Sequence, residues 1–366
     1  MLNFANIENY KENNRIEAKK ALGGLPKSIW ETYSAFANTH GGIILLGVEE
    51  YRDKTFHTVD LPYPHEMVEE FLSLIEKMTN VNILRDGDVS VEKVDGKHII
   101  AIRVPRAHRH DKPVYIGSDP LTGTYRRNGE GDYRCTNDEV RTMIRDSKSE
   151  SLDMAVITRF TEDSLNIASI DKYISQMETS MPLSYCDKLE LLLSVGAVVK
   201  DENGICHPTS AGLLMFGKKE ALISEFKNFS AVFRNHKTGE VYSADNLFDF
   251  FMHVTPKLGE VLQVLKGKDS HSELFYCARE ALINCLTNAD FRESGAVNVT
   301  CSKKSITFSN PGDFRIDPEK ARHGGVSDSR NCAIAEIFSN INQTTKEILY
   351  SIVFVMIKNN TRNIRK

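Results

Sequence analysis

The sequence predicts an α+β protein, because short strand-period and helix-period blocks succeed one another without a fixed repeating unit. Three stretches carry that prediction. Residues 14–19 (NRIEAK) set Ile16 and Ala18 between Arg15, Glu17 and Lys19, the period of two of a half-buried strand. Residues 25–38 (LPKSIWETYSAFAN) have helical periodicity and end at the turn His40-Gly41-Gly42. Residues 42–48 (GIILLGV) are continuously apolar, as in a strand covered on both faces.

The remaining elements follow in order. Residues 64–77 read as a helix, and residues 89–104 as a hairpin turning at Asp95-Gly96. Residues 125–127 form a short strand, and residues 137–145 a helix capped by Thr136 or Asn137. These elements compose an α+β module over residues 1–147. Between 170 and 217 two helices precede a hairpin at Asn203-Gly204, a small winged-helix-like unit inside a linking region at 148–267. Residues 219–266 add strand and helix, and Gly267-Lys268-Asp269-Ser270 marks a second boundary before a third module at 268–366.

Bulk composition narrows the function classes. The chain has 366 residues, 41 % hydrophobic and 26 % charged, with a formal net charge of −4. It is therefore no polycation, and a surface that binds nucleic acid must be local. The seven cysteines contain no CxxC pair, which argues against a disulfide framework or zinc knuckle. The first residues lack an apolar signal core, and the longest apolar run near the C-terminus, residues 348–357, is about half the length a bilayer requires. A cytoplasmic protein with no membrane partner is expected.

The first chemical constellation is acidic. Glu17 and Lys19 stand two apart on the first strand and leave the same face. Glu12 precedes them, and Glu49-Glu50 sits where the run GIILLGV ends. Converging carboxylates can hold Mg²⁺ or Mn²⁺ and activate a water, while a lysine stabilises phosphate charge, the logic of phosphodiester hydrolysis. Surface ion pairs between abundant Glu and Lys are the competing account. The segments Glu12-x4-Glu17-x-Lys19, SAFANTHGGIILLGVEE at 34–50, KPVY at 112–115 and TYRRNGE at 124–130 resemble the Schlafen-type AlbA domain. The resemblance covers residues 8–145. It implies nucleic-acid binding and, in some members, cleavage of structured RNA such as tRNA. It assigns the active carboxylates to Glu12, Glu17 and Glu50, with Lys19 beside them. Glu stands at position 50 where the nucleases carry Asp.

Positive charge gathers near the end of the same module. Arg109 and Lys112 lie in one cluster; Arg126, Arg127 and Arg134 lie on and beside the final strand, interleaved with Tyr115 and Tyr125. This pattern suits phosphate contacts and base stacking, or else a solvated charged loop.

The second constellation lies at 273–291. Leu274, Ala278, Ala281, Leu282, Cys285 and Ala289 form a helical apolar stripe, opposite Glu280, Asn284 and Asn288. An acid and an amide one turn apart can orient a water and ligate Mg²⁺ on nucleotide phosphates; an ordinary amphipathic helix is the alternative. REALINCLTNADF at 279–291, ITFSNPGDF at 306–314 and SRNCAIAEIF at 329–338 are similar to the divergent GHKL-type ATPase domain. That resemblance implies ATP, with Asn284 on Mg²⁺, Glu280 as general base, and Asn310 to Gly312 beside the adenine. Asn288 joins the polar face, and Gly324 and Gly325 lie in the glycine-containing loop. The match stops near Asn340.

The expected whole is an AlbA-like Schlafen domain, a winged-helix-like linking unit and a GHKL-like α/β sandwich. Its expected function is that of a nucleic-acid-binding, nucleotide-sensing transcriptional regulator. The alternatives are a metal-dependent endoribonuclease acting on structured RNA, and a non-catalytic interaction scaffold. The expected partners are RNA or DNA and ATP, with homo-oligomer assembly open.

Overall fold

The computed structural model describes residues 7, 10–177, 185–266, 271–302, 305–318, 321, 328–341, 355–358 and 361–364. Two units divide the chain, residues 1–149 and 150–366.

In the first unit a four-stranded sheet has the order β1-β2-β6-β5. Its strands are β1 (Ile16–Lys19), β2 (Gly42–Leu46), β5 (Val89–Val94) and β6 (Lys97–Val104). The β1–β2 pair is parallel, and the other pairs are antiparallel. The β5–β6 turn at Asp95-Gly96 places both residues at positive φ, 51° and 81°, the two-residue geometry that matches strand twist. Helix α1 (Ile29–Asn38) joins β1 to β2, and α2 (Pro64–Met78) packs beside β5 and β6. Two small hairpins complete the unit, β3 (Val48–Glu50) with β4 (Phe56–Thr58) and β7 (Tyr125–Asn128) with β8 (Gly131–Arg134). Between them in sequence lies the short helix α3 (Pro120–Gly123), and α4 (Asn137–Ser147) follows β8. Thr136 caps α4, exchanging hydrogen bonds with Glu139 as sequence spacing anticipates.

The expected strand at 42–48 is interrupted. Gly47 adopts φ +83°, so the run ends at Leu46 and resumes in a different pairing as β3. That bend takes Glu49 and Glu50 away from the main sheet.

Helix α1 is buried almost all round, although it carries Thr32, Ser34 and Asn38. Its apolar side packs into the core with Ile44, Leu46 and Ile100, and Trp30 stacks on Phe71 with ring centroids 5.3 Å apart. Its polar side is satisfied hydrogen bond by hydrogen bond, as burial requires. Ser34 Oγ donates to the Val114 carbonyl at 2.7 Å. Asn38 Nδ2 donates to the carbonyls of Val114 and Tyr125, at 2.8 and 3.0 Å. The amide of Val114 donates back to Asn38 Oδ1 at 2.9 Å. Asn38 thus ties β7 to the helix that closes the core. The turn after α1 needs glycine: a Cβ at Gly41 would lie 2.8 Å from Val104 O, and one at Gly42 would lie 2.7 Å from the Phe36 ring.

In the second unit a six-stranded sheet has the order β12-β11-β13-β14-β16-β15. Its strands are β11 (Ala231–Asn235), β12 (Glu240–Ser243), β13 (Val297–Cys301), β14 (Ile306–Ser309), β15 (Val355–Lys358) and β16 (Thr361–Ile364). The pair β11–β13 is parallel, so one sheet spans the proposed boundary at 267–270, which itself lies outside the described residues. The apolar cluster also runs from Ile157 to Phe338. The helices are α5 (Ile167–Ser175), α6 (Tyr185–Ser194), α7 (Ser210–Phe216), α8 (Lys219–Glu225), α9 (Leu247–Lys266), α10 (His271–Asn288) and α11 (Cys332–Ser339). The hairpin β9 (Val198–Lys200) with β10 (Cys206–Pro208) lies between α6 and α7. Among the described residues no helix is long and apolar enough to cross a membrane.

Replacing Asn38 by Ala leaves the Val114 amide and the Tyr125 carbonyl without their partners, while Ser34 still serves the Val114 carbonyl, a loss of about 2–4 kcal/mol in the first unit. Trp30 is the only tryptophan and lies in that unit, so its fluorescence during urea unfolding reads the loss. A shift below about 0.5 kcal/mol would show that α1 is held without this side chain.

Candidate functional site

The acidic residues are gathered by the entry to β1 and by the β3 hairpin. Glu12 precedes β1, and its Oε1 accepts the Ala18 amide at 3.1 Å. Glu17 leaves the same strand, receives Lys19 Nζ on Oε1 at 2.9 Å, and has Arg127 Nη2 2.8 Å from Oε2. Lys19 also donates to Ser28 Oγ. On β3, Glu50 is met by Lys54 Nζ at 3.2 Å, and Lys54 reaches Glu130 in the β7–β8 turn at 3.0 Å. Glu49 pairs instead with Lys20.

Arg127 is the centre of this arrangement. Its side chain is 0 % exposed. One end meets Asp132 of β8 at 2.9 Å, and the other donates to the backbone carbonyls of Asn13 and Ile16, while the guanidinium lies over the Phe36 ring. Expected on the chain's nucleic-acid face, Arg127 is an internal strut with its donors directed inward. The pairing explains why: opposite residues share a face, so Arg127 and Asp132 point in while Arg126 and Tyr133 point out. Arg126 is exposed and pairs with Glu139. Arg134 is exposed, stands over the Tyr125 ring and donates to its hydroxyl. Arg109 donates to the Asp146 and Lys148 carbonyls at the end of α4, and Lys112 donates to the Asn38 carbonyl. Those two cations brace backbone.

The three candidate ligands Glu12, Glu17 and Glu50 influence one another electrostatically. Burial pushes the Glu12 carboxyl above its ordinary value, the Ala18 amide opposes this, and the charges of Glu17 and Glu50 add to the rise. Glu17 Oε2 faces the enclosed Arg127 guanidinium, whereas Glu50 Oε1 is a buried oxygen that accepts no hydrogen bond. A divalent cation suits an oxygen of the latter kind. Nevertheless, no group of three or more His, Cys, Asp or Glu among the described residues is arranged to hold a metal ion. The fit is thus partial, one bare oxygen on Glu50 without a closed ligand set.

Sequence reasoning missed Lys54, Asp132 and Asn38. Lys54 and Asp132 sit outside the quoted acid motif, and only the meeting of two hairpins reveals them. Asn38 lies inside the segment 34–50 but reads there as an ordinary helix end.

In the second unit two of the predicted site residues turn their amides onto backbone carbonyls. Asn288 Nδ2 donates to the Asn284 carbonyl at 2.9 Å, and Asn310 Nδ2 to the Pro311 carbonyl at 3.1 Å. Gly312, at φ +100°, lies so near Asp290 that a Cβ would approach its Cβ to 3.1 Å. Arg330 pairs with Asp290 at 3.5 Å and donates to the Asn288 and Asp313 carbonyls, while Asn331 Nδ2 donates to the Ala289 carbonyl at 2.8 Å. Those bonds satisfy carbonyls at and just beyond the end of α10. Glu280 and Asn284 are half-buried on that helix. A cavity of about 20 Å³ beside Asp153, Ser210, Asp290 and Arg330 holds one water at most. Gly324 and Gly325 lie outside the described residues.

The raised carboxyl of Glu12 yields a pH-dependent expectation. A carboxyl whose folded value is raised favours the folded state at low pH, and that advantage is lost as pH climbs from its unfolded value through its folded one. Glu12→Gln keeps an oxygen for the Ala18 amide but cannot ionise. Its Tm advantage over the parent should therefore widen between about pH 4 and about pH 7. A variant less stable than the parent at the upper pH would contradict the crowding of these carboxylates.

Two family models match the chain. One is a domain of unknown function, DUF8451, at residues 141–232. No curated protein matches. Among solved structures, the DIP2311 protein from Corynebacterium diphtheriae is similar at 17 % identity and TM-score 0.43, over 96 % of this chain and 64 % of that one. This chain thus spans under two thirds of that protein's length. The N-terminal domain of an ATP-dependent DNA helicase RecG-related protein from Nitrosomonas europaea is similar at 34 % identity and TM-score 0.30, over 37 % of this chain and 95 % of that one. The second model is Schlafen, AlbA_2: residues 12–136 match it, the stretch that holds Glu12, Glu17, Lys19, Glu50 and Arg127.

Proposed function

We propose that the first unit binds nucleic acid and that the protein is a nucleic-acid-binding regulator. The observation that carries this reading is the joining of three segments, the β1 entry, the β3–β4 hairpin and the β7–β8 hairpin, by lysine and arginine inside the Schlafen, AlbA_2 match. Exposed Arg126 opposite Tyr133 on one face of the β7–β8 hairpin, and exposed Arg134 over Tyr125 on the other, supply cations and aromatic rings, the chemistry of phosphate contact and base stacking. The chain's net charge of −4 confines such binding to this local surface.

Metal-dependent cleavage of structured RNA is the second reading, favoured by the bare Oε1 of Glu50 and by Glu12 and Glu17 near it. Those residues would hold Mg²⁺ or Mn²⁺, and a bound ion would supply an activated water. Among the described residues the carboxylates do not close into a three-ligand set.

In the second unit the Asn288 and Asn310 amides are turned onto backbone carbonyls and Gly312 packs on Asp290, while Glu280 and Asn284 are half-buried on α10. A nucleotide there would need the Asn288 and Asn310 amides to turn.

Fluorescence anisotropy of the full chain with labelled tRNA and duplex DNA tests the first reading. Binding that weakens steeply with salt is expected, and no binding to either at low salt would overturn it. Incubation of the same tRNA with Mg²⁺ or Mn²⁺ tests the second. Cleavage by the parent but not by Glu17→Ala establishes it; intact tRNA with both proteins leaves binding alone.

A further inference from the structure

We propose that Lys54 is the residue through which the acid site contacts a phosphodiester backbone, an inference that rests on the nucleic-acid reading of the first unit. Among the described residues four cations pair with Glu17, Glu49 or Glu50. Arg127 is wholly enclosed, and Lys19 is 11 % exposed and held by Glu17 and Ser28. Lys20 is open to solvent but pairs with Glu49, on the other face of β3 from Glu50. Lys54 alone of the four is both solvent-reachable, at 48 % side-chain exposure, and paired with Glu50.

Its backbone points the same way. Lys54 has φ +69°, a conformation that glycine or asparagine adopts at less cost than lysine. The turn is pinned around it: the Tyr51 amide donates to the Thr55 carbonyl, the Lys54 amide to the Tyr51 carbonyl, and the Thr55 amide to Asp53 Oδ1. A position where lysine is a costly choice for the backbone, yet where the side chain spans two hairpins, marks the amine as the group required.

The amine suits a phosphate. An ammonium has three N–H donors, and Glu50 and Glu130 take two. A lysine ammonium is charged at neutral pH, and both carboxylates lie against it. Glu130 is itself exposed, and an exposed pair costs little to exchange. A phosphate oxygen can therefore take the third donor or replace Glu130, while Glu50 keeps the amine beside the acid site.

Salt titration of binding to a fluorescein-labelled RNA hairpin separates the outcomes, using the full chain as parent, Lys54→Gln, Lys54→Arg and Lys54→Gly. Loss of one phosphate contact should make the slope of log Kobs against log salt shallower by about 0.7–0.9 in the Gln and Gly variants, while Arg keeps the parental slope. Lys54→Gly also relieves the positive φ, so its Trp30-monitored unfolding midpoint should equal or exceed that of Lys54→Gln; this excludes misfolding as the cause of a shared shallow slope. Parental slopes in both Gln and Gly would overturn the role of Lys54 and leave nucleic-acid binding standing. A parent that binds no RNA would overturn the binding reading, and this inference with it.

Discussion

The first unit depends on one enclosed guanidinium. Arg127 joins β7 to β8 through Asp132, to β1 through Glu17 and the Ile16 carbonyl, to the chain entering β1 through Asn13, and to α1 through the Phe36 ring. A buried cation is tolerable only when its charge and donors are matched. Here two carboxylates match the charge, and carbonyl groups occupy further donors. The same contacts fix Glu17, and so decide which face of β1 the acid site occupies. Asn38 does the neutral counterpart of this work, fastening β7 to α1 by hydrogen bonds to backbone.

Around that strut the carboxylates are held close enough to affect one another. Burial and the charges of Glu17 and Glu50 both raise the Glu12 carboxyl. Such crowding is a cost to the folded state, and cations from separate segments offset it: Lys19 at Glu17, Lys54 at Glu50, and Arg127 from beneath. Perturbed acids in such settings are found at functional sites and also in structural ion-pair networks. The buried Oε1 of Glu50, which accepts no hydrogen bond, tilts the balance toward a site, since a purely structural network would satisfy it.

Much of the scaffold was legible from local chemistry. Alternation at Ile16–Lys19, the Asp95-Gly96 turn, the Thr136–Glu139 cap and the apolar stripe of α10 each declare themselves within a few residues. What escaped depends on pairing between distant segments. Arg126 and Arg127 look alike in sequence, and only the register with β8 sends one outward and one inward. The bend at Gly47 moves Glu50 onto a separate hairpin, where Lys54 and Glu130 can reach it. Asn288, Asn310 and Gly312 stand in the order a nucleotide site would use, yet the end of α10 leaves carbonyls that need donors, and nearby side chains supply them. A shared order of residues did not fix the direction in which their polar groups turned.

The strut itself is open to a direct measurement: urea unfolding followed by Trp30 fluorescence for Arg127→Met, together with the salt dependence of RNA binding by the same variant. Removing the cation takes Arg127 from Asp132 and leaves Glu17 with Lys19 alone, so the first unit should lose about 3–5 kcal/mol. The salt slope of whatever folded protein remains should stay parental, because Arg127 touches no phosphate. Unchanged stability with a slope shallower by about one contact would contradict this account, placing Arg127 on the nucleic-acid face after all.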